Sequence, residues 1–483
     1  MSFTEIVAEA GDARSPLLRP TRASLDAFAV LHVLDDGQAS RRLRALLLGH
    51  GPAPAFEGVA REHAALRPQD EVEVAFATPR LTALHLAAPM HAGGHGAGLL
   101  GLPASLREAG LDGFLDPILL RAGRARLRIV VPRHVEPADA MRAMSDAPAA
   151  LGLADLRVLR VGPANPADHL DVVRRMLPPE QEDLLRLAAS MGYYATPKQA
   201  TLEDIAREVG LSISPIHKRL KAAEETLVAA HVDPATRASA PRRRARGESV
   251  TLDASQPWEV TLRLRAPEWG PAAFARAAGA PILFTPTSED AQAGAVRALL
   301  VAFAPEDVQA KLFSALESRP EIAHAQMVGR DRAALAARFE ARGRAGFGLA
   351  WWNEAWGGDV ALRHALFEGD DCLVRVLVTR PLTQERFQRK LEDAARAARW
   401  TDLVIAHARP LGQIAPPAEA HEPLTSRQLE VLRVAHALGY YQTPRGCTLE
   451  GVAKTLGVSA NAIHKNLVLA ESKIIASYLT SSF

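Results

Sequence analysis

Residues 177–227 read LPPEQEDLLRLAASMGYYATPKQATLEDIAREVGLSISPIHKRLKAAEETL, and residues 424–474 read LTSRQLEVLRVAHALGYYQTPRGCTLEGVAKTLGVSANAIHKNLVLAESKI. The two align without a gap, and roughly twenty of about fifty positions are identical, too many for chance at a period this long. Gly192-Tyr193-Tyr194 matches Gly439-Tyr440-Tyr441, Thr201-Leu202-Glu203 matches Thr448-Leu449-Glu450, and Ile216-His217-Lys218 matches Ile463-His464-Lys465. The register extends backwards. Arg128-Ile129-Val130-Val131 falls opposite Arg375-Val376-Leu377-Val378, and Asp155-Leu156 opposite Asp402-Leu403. The repeated unit is therefore a larger domain followed by a small C-terminal module.

Within each module the apolar spacing predicts three helices. The first runs from about Pro179 to Met191 and ends at Gly192; Thr201 is placed to cap the second, and Ser212 the third. Ala206, Gly210 and Ile216 have the spacing of a helix-turn-helix. The small Ala lets two helices cross closely, the Gly takes the turn without a Cβ penalty, and the Ile anchors the third helix. Ala453, Gly457 and Ile463 repeat the pattern. In this geometry the start of the third helix enters the major groove. That face offers Ser212, Ser214, His217, Lys218 and Lys221 in the first module, and Ser459, Asn461, His464, Lys465 and Asn466 in the second. Ser, Asn and Lys suit base edges and phosphates, and Asn pairs bidentately with adenine. The plainer alternative is a set of solvated polar residues on a protein-docking helix. The GYY tyrosines are expected to pack between the first helix and the turn, with phosphate contact the other reading.

The motifs LT-x-x-Q, GYY-x-T-P, TLE-x-x-A-x-x-x-G-x-S and IHK-x-L-x-x-AE resemble the helix-turn-helix domain of the archaeal bacterio-opsin activator family, over about fifty residues twice. The resemblance implies a transcription regulator of archaeal type whose larger domains sense or dock something. Members commonly carry one module at the C-terminus, so the tandem departs from that pattern. The first module has Pro215 in the first turn of its third helix and acidic flanks (Glu180, Glu182, Asp183, Asp204, Glu208). The second, with Arg427, Arg433, Arg445 and Lys454, is the more basic.

The whole 483-residue chain carries a formal net charge of +2, which excludes a polybasic protein but not a binder with basic residues on one helix face. The balance of acid and base also argues against a high-salt cytosol. Cys372 and Cys447 have no partner at metal-ligand spacing, so neither a disulfide framework nor a zinc site is expected. No signal peptide is visible over Met1 to Pro20, and no uninterrupted apolar run reaches the roughly 18 residues of a membrane helix. The expectation is a cytoplasmic protein with no membrane partner.

The larger domains are expected to be α+β sandwiches, helices on one face of a mixed or antiparallel sheet. In the second copy the pattern predicts strands at Ala295–Phe303 and Ala323–Val328 around a helix at Pro305–Ser318. A helix over Arg330–Arg342 follows, then strands at Leu349–Trp356, Ala361–Glu368 and Leu373–Thr379. A helix from Thr383 to Arg399 and a strand at Leu403–His407 complete it. In the first copy the matching final elements are Leu127–Val131, Pro137–Ala149 and Leu156–Val161. The expected divisions are α+β domains at 22–163 and 257–411, helix-turn-helix domains at 177–231 and 424–480, and a flexible linker at 232–256 holding the Arg242–Arg246 basic run. A Pro-rich hinge spans Ile414 to Glu422.

The glycine-rich stretch His91–Gly98 fits neither a phosphate loop nor a dinucleotide fingerprint, and Trp351–Trp356 reads as packing or as a pocket wall. With no nucleophile elbow, paired-metal spacing or Walker sequence, no catalytic residue, cofactor or metal is expected. The function expected is a sequence-specific DNA-binding regulator. Its partners are double-stranded DNA, the basal transcription machinery and an unknown small-molecule effector of the α+β domains. The competing readings are an adaptor with degenerate modules and a promoter reader like sigma region four.

Overall fold

The structure, a computed structural model, describes residues 4–11, 28–35, 42–50, 53–77, 81–89, 106, 109–111, 113–115, 118–121, 123–132, 134–151, 154–163, 177–195, 197–232, 252–290, 295–330, 334–342, 356, 359–411, 424–442 and 445–481. His91–Gly98, Arg242–Arg246, the Ile414–Glu422 hinge and Trp351–Ala355 lie outside the described residues. The chain divides into two compact units, and the duplication sorts like with like. One unit joins Met1–Pro166 to Ala245–Pro416; the other joins Ala167–Arg244 to Pro417–Phe483.

The first α+β copy contains β1 (Thr4–Gly11), β2 (Phe28–Asp35), β3 (Arg42–His50), α1 (Ala53–Leu66), β4 (Glu71–Ala77), β5 (Leu81–Pro89), β6 (Phe114–Leu115), β7 (Ile118–Arg121), β8 (Arg124–Val131), α2 (Pro137–Leu151) and β9 (Ala154–Pro163). The helical module α3 (Pro179–Ser190), α4 (Leu202–Val209) and α5 (Ile213–Val232) follows. The second α+β copy contains β10 (Trp258–Arg265), α6 (Gly270–Ala278), β11 (Ile282–Asp290), β12 (Ala295–Ala302), α7 (Glu306–Glu317), β13 (Ile322–Arg330), β14 (Leu335–Arg342), β15 (Val360–Glu368), β16 (Asp371–Val378), α8 (Gln384–Ala398) and β17 (Thr401–Pro410). The last module is α9 (Ser426–Ala437), α10 (Leu449–Leu456) and α11 (Ala460–Ser481).

The two sheets have one topology. In the first copy the antiparallel order is β9–β1–β8–β7–β2–β3–β5–β4, with β6 also beside β8. In the second it is β17–β10–β16–β15–β11–β12–β14–β13. The registers coincide: Thr4 sits opposite Val131 and Pro163, and Trp258 opposite Val378 and Pro410. Even the irregularities recur, between Val7 and Ala8 in β1 and between Thr261 and Leu262 in β10. A shared bulge is a property of the ancestral fold, because it sets which side chains face inward beyond it. A parallel pair, Asp35 with Ser288, and the ion pair Arg380–Glu73 at 3.1 Å join the copies into one unit.

Each sheet buries one face under helices: Val260, Leu262 and Leu264 of β10 share a core cluster with Phe274 of α6 and with Phe387 and Leu391 of α8. Trp356, the described residue of the tryptophan run, is in that core, 5.5 Å from the Phe387 ring. Leu252 also belongs to it, and the Trp258 indole donates to the Asp253 carbonyl, so the packed structure of this copy already includes residues before 257. The opposite face of β10 is buried as well, and it carries charge. Glu259 lies 2.6 Å from the Arg409 Nε, 3.6 Å from Arg375 and 3.7 Å from Arg363. Burial raises its pKa, but Arg375, Arg409 and Arg363 prevail and hold it down at about 2. Glu5 takes the same place in β1, paired with Arg128 and Arg160.

Strand β14 differs in kind from the sequence expectation. Within Arg330–Arg342, predicted to be a helix, Leu335–Arg342 is strand β14. Leu335, Ala337, Phe339 and Ala341 alternate into the core, and β14 bonds β12 on one side and β13 on the other. Its Ala, Arg and Glu residues favour a helix locally, but two flanking ladders and a buried period-two face outweigh that preference. Among the described residues no helix is long and apolar enough to cross a membrane.

Candidate nucleic-acid interface

In both modules, local chemistry sets the helix boundaries. Thr201 caps α4 by a reciprocal box: the Asp204 amide donates to its Oγ1 at 3.3 Å, and its own amide donates to the Asp204 carboxylate at 3.0 Å. The Thr201 amide and hydroxyl, both donating to the Asp204 carboxylate, draw its pKa down because they favour the ionised form. Thr448 caps α10 with a single bond, from the Gly451 amide at 3.3 Å, since glycine has no side chain to reply. Gly210 and Gly457 then end these helices in the left-handed region, at φ 71° and 65°. Next, the amides of Leu211 and Val458 donate to the carbonyls of Ala206 and Ala453. The two alanines are buried, and Ile216 and Ile463 are fully buried behind the turn.

The third helices are longer than a reading head needs. Their C-terminal halves bury Ala223, Leu227 and Val228 in α5, and Ala470, Ile474 and Ile475 in α11, and these join the cores of both modules into one cluster. The modules are further tied by hydrogen bonds, from the Ser472 hydroxyl to the Tyr194 carbonyl at 2.9 Å and from the Tyr478 hydroxyl to Glu182 at 3.4 Å. The tandem is thus one packed body.

The tyrosine pair belongs to this packing. Tyr194 donates to Glu224 at 3.0 Å and Tyr441 donates to Glu471 at 2.8 Å. Burial and these carboxylates push both phenols far above their usual range. Tyr193 and Tyr440 lie edge-on to their neighbours, under Lys198 at 4.1 Å and Arg445 at 4.8 Å. Burial first, then the Glu224 charge, push the Glu471 pKa up to about 7, against the Tyr441 hydroxyl and the Lys221 and Lys198 charges.

Of the residues expected to face the groove, Ser212, Ser214, His217 and Lys218 stand exposed around the start of α5, and Ser459, Asn461, His464 and Lys465 around that of α11. Ser459 also caps its helix, accepting from the Ala462 amide at 3.3 Å. The other two are engaged elsewhere. Lys221, itself exposed, pairs with Glu224 one turn further along the helix at 2.9 Å, and the Asn466 amide donates to the Ala462 carbonyl at 2.8 Å. Sequence reasoning missed Glu224 and Glu471. The shared AE of IHK-x-L-x-x-AE was visible, but its role depends on a neighbouring helix. It also missed the apolar run Val209, Leu211, Ile213, which is exposed.

This fold and site define a protein with two helix-turn-helix DNA-binding domains fused into one body. Residues 177–229 and 424–476 each match the family described as HTH DNA binding domain. A Haloferax volcanii protein, provisionally named a transcriptional regulator, is 46% identical over 55 residues, 11% of this chain and 10% of its own length. The dimethyl sulfoxide reductase transcriptional activator of Halobacterium salinarum is 42% identical over 59 residues, 12% of this chain and 26% of its own. The matched segments thus span about a quarter or less of these relatives. Among solved structures, the menaquinone-specific isochorismate synthase of Escherichia coli aligns with 82% of this chain and 94% of its own at 12% identity. The TM-score is 0.13, and the likeness carries no argument. Both modules are members of the bacterio-opsin activator-type helix-turn-helix family, present here as a tandem duplication.

Proposed function

We propose that this protein is a sequence-specific transcription regulator in which both modules contact one DNA duplex, and that the paired α+β copies form its sensing or docking unit. The observation supporting this reading is the common core of the modules, which presents His217 and Lys218 on one third helix and His464 and Lys465 on the other. Because the two reading heads share a core, the second contact follows the first without a further loss of orientational freedom, and two weak half-sites sum to a useful affinity. Fixed geometry also sets the spacing of the half-sites, about 10 base pairs or a multiple apart if both heads enter the same face of the groove.

The test is salt-dependent binding of the full chain to a randomised duplex pool, with sequencing of the retained fragments. A paired motif of constant spacing is expected. Lys218→Glu and Lys465→Glu should each weaken binding and lower the salt slope by about one. Binding without sequence preference, or activity unaffected by both substitutions, would favour the adaptor reading instead.

A further inference from the structure

The two reading heads differ in the chemistry of their leading edge. In the first module Val209 ends α4, Leu211 follows the turn glycine and Ile213 opens α5, with exposures of 39%, 42% and 42%. Their counterparts Leu456, Val458 and Ala460 are half-buried against the common core. A single exposed apolar side chain is ordinary. Three within five residues, at the start of a recognition helix, need a partner surface.

The surroundings identify that surface. Ser212, Ser214, His217 and Lys218 flank the apolar edge and are themselves exposed, so the occupant must tolerate hydroxyls and positive charge beside an apolar contact. The start of a recognition helix is the part that meets base edges. In the major groove the apolar group on offer is the C5-methyl of thymine. Asn461, exposed one residue beyond the short Ala460, instead presents an amide suited to the N6 and N7 of adenine.

We propose that Ile213 reads thymine methyl groups in the half-site of the first module, making the operator chemically asymmetric, with one half-site methyl-dependent and the other read by polar contacts. This rests on the DNA-binding reading above.

The experiment replaces thymine with deoxyuridine, which removes only the methyl, in one half of the selected duplex at a time. With the full chain, substitution in one half-site is expected to weaken binding about fourfold per contacted methyl, the worth of one buried methylene-sized group, and substitution in the other to change little. Ile213→Ala, an exposed and therefore structurally mild change, should bind the thymine and deoxyuridine duplexes equally. Equal binding of both duplexes by the unaltered chain, or an undiminished penalty in Ile213→Ala, overturns the proposal. Failure to enrich any motif removes the DNA-binding reading itself, a separate outcome recognised by the silence of Lys218→Glu and Lys465→Glu as well.

Discussion

The two copies of each domain agree in their buried framework and differ along part of the reading edge and where the modules meet. Ile216 and Ile463 are both fully buried, and Glu5 and Glu259 occupy one register position in two sheets. At the module interface the agreement ends. Lys221 supplies an ammonium to Glu224, while its counterpart Val468 supplies none to Glu471. Fusing two copies in one chain frees each position to change alone, which a symmetric dimer of identical chains does not allow. Packing has kept the cores alike, while positions such as Ile213 and its counterpart Ala460 have diverged beside a retained His-Lys pair.

The largest effect should separate the sheets. Glu259→Gln removes the carboxylate that Arg363, Arg375 and Arg409 share, and loss of such a buried partner costs about 3–5 kcal/mol. Glu5→Gln should cost clearly less, because Arg128 and Arg160 keep 20% and 28% of their side-chain exposure and are more easily hydrated. Equal losses in denaturant titrations would show that the two ionic clusters are equivalent.

Next, Ile216→Ala and Ile463→Ala should each destabilise by about 2–5 kcal/mol. Because the modules share a core, either substitution should lower one common helical transition by calorimetry. Two separated transitions, with only the altered module shifted, would break the claim of a single body.

The asymmetry of the glutamates predicts a pH response. Glu471 titrates at about 7 when folded, against an ordinary value of 4.5, so the folded state holds its proton more tightly than the unfolded chain does. The contribution of Glu471 to the stability of the helical unit should therefore be fully present at or below about pH 4.5, fall as the pH rises towards 7, and level off above it. The loss should be on the order of 3 kcal/mol. Glu471→Gln should flatten this slope, and Val468→Lys should reduce it by giving Glu471 the ammonium that Glu224 already has. An unchanged slope in both variants assigns the response elsewhere.

The smallest effect concerns the caps. Thr201→Ala removes one side of a reciprocal box and Thr448→Ala a single bond, so both should cost about 1 kcal/mol, the first slightly more. Thermal melts of the two variants measure the difference directly.

Much of the helical unit was legible in the chain. The spacings Ala206–Gly210–Ile216 and Ala453–Gly457–Ile463, with Thr201, Gly192 and their counterparts as caps, record short-range constraints that neighbouring residues impose on one another. The repeat itself revealed two modules and two α+β domains. The strand at Leu335–Arg342 was not legible as such, because its alanine, arginine and glutamate residues favour a helix until β12 and β13 claim its backbone. Nor were the elements before Ala295 in the second copy, from β10 to β11, whose roles become plain only once paired.

What the sequence determined by itself is the local and the repeated: two helix-turn-helix modules and the caps and turns within them. Only the tertiary structure decided that module packs on module, that the α+β copies join in one unit, that Glu224 and Glu471 accept bonds from the tyrosine hydroxyls, and that Ile213 stands exposed. Local preferences act over a few residues and leave a trace at fixed spacing. Which distant surfaces bury one another depends on complementarity between segments far apart in the chain, and no short-range pattern encodes that.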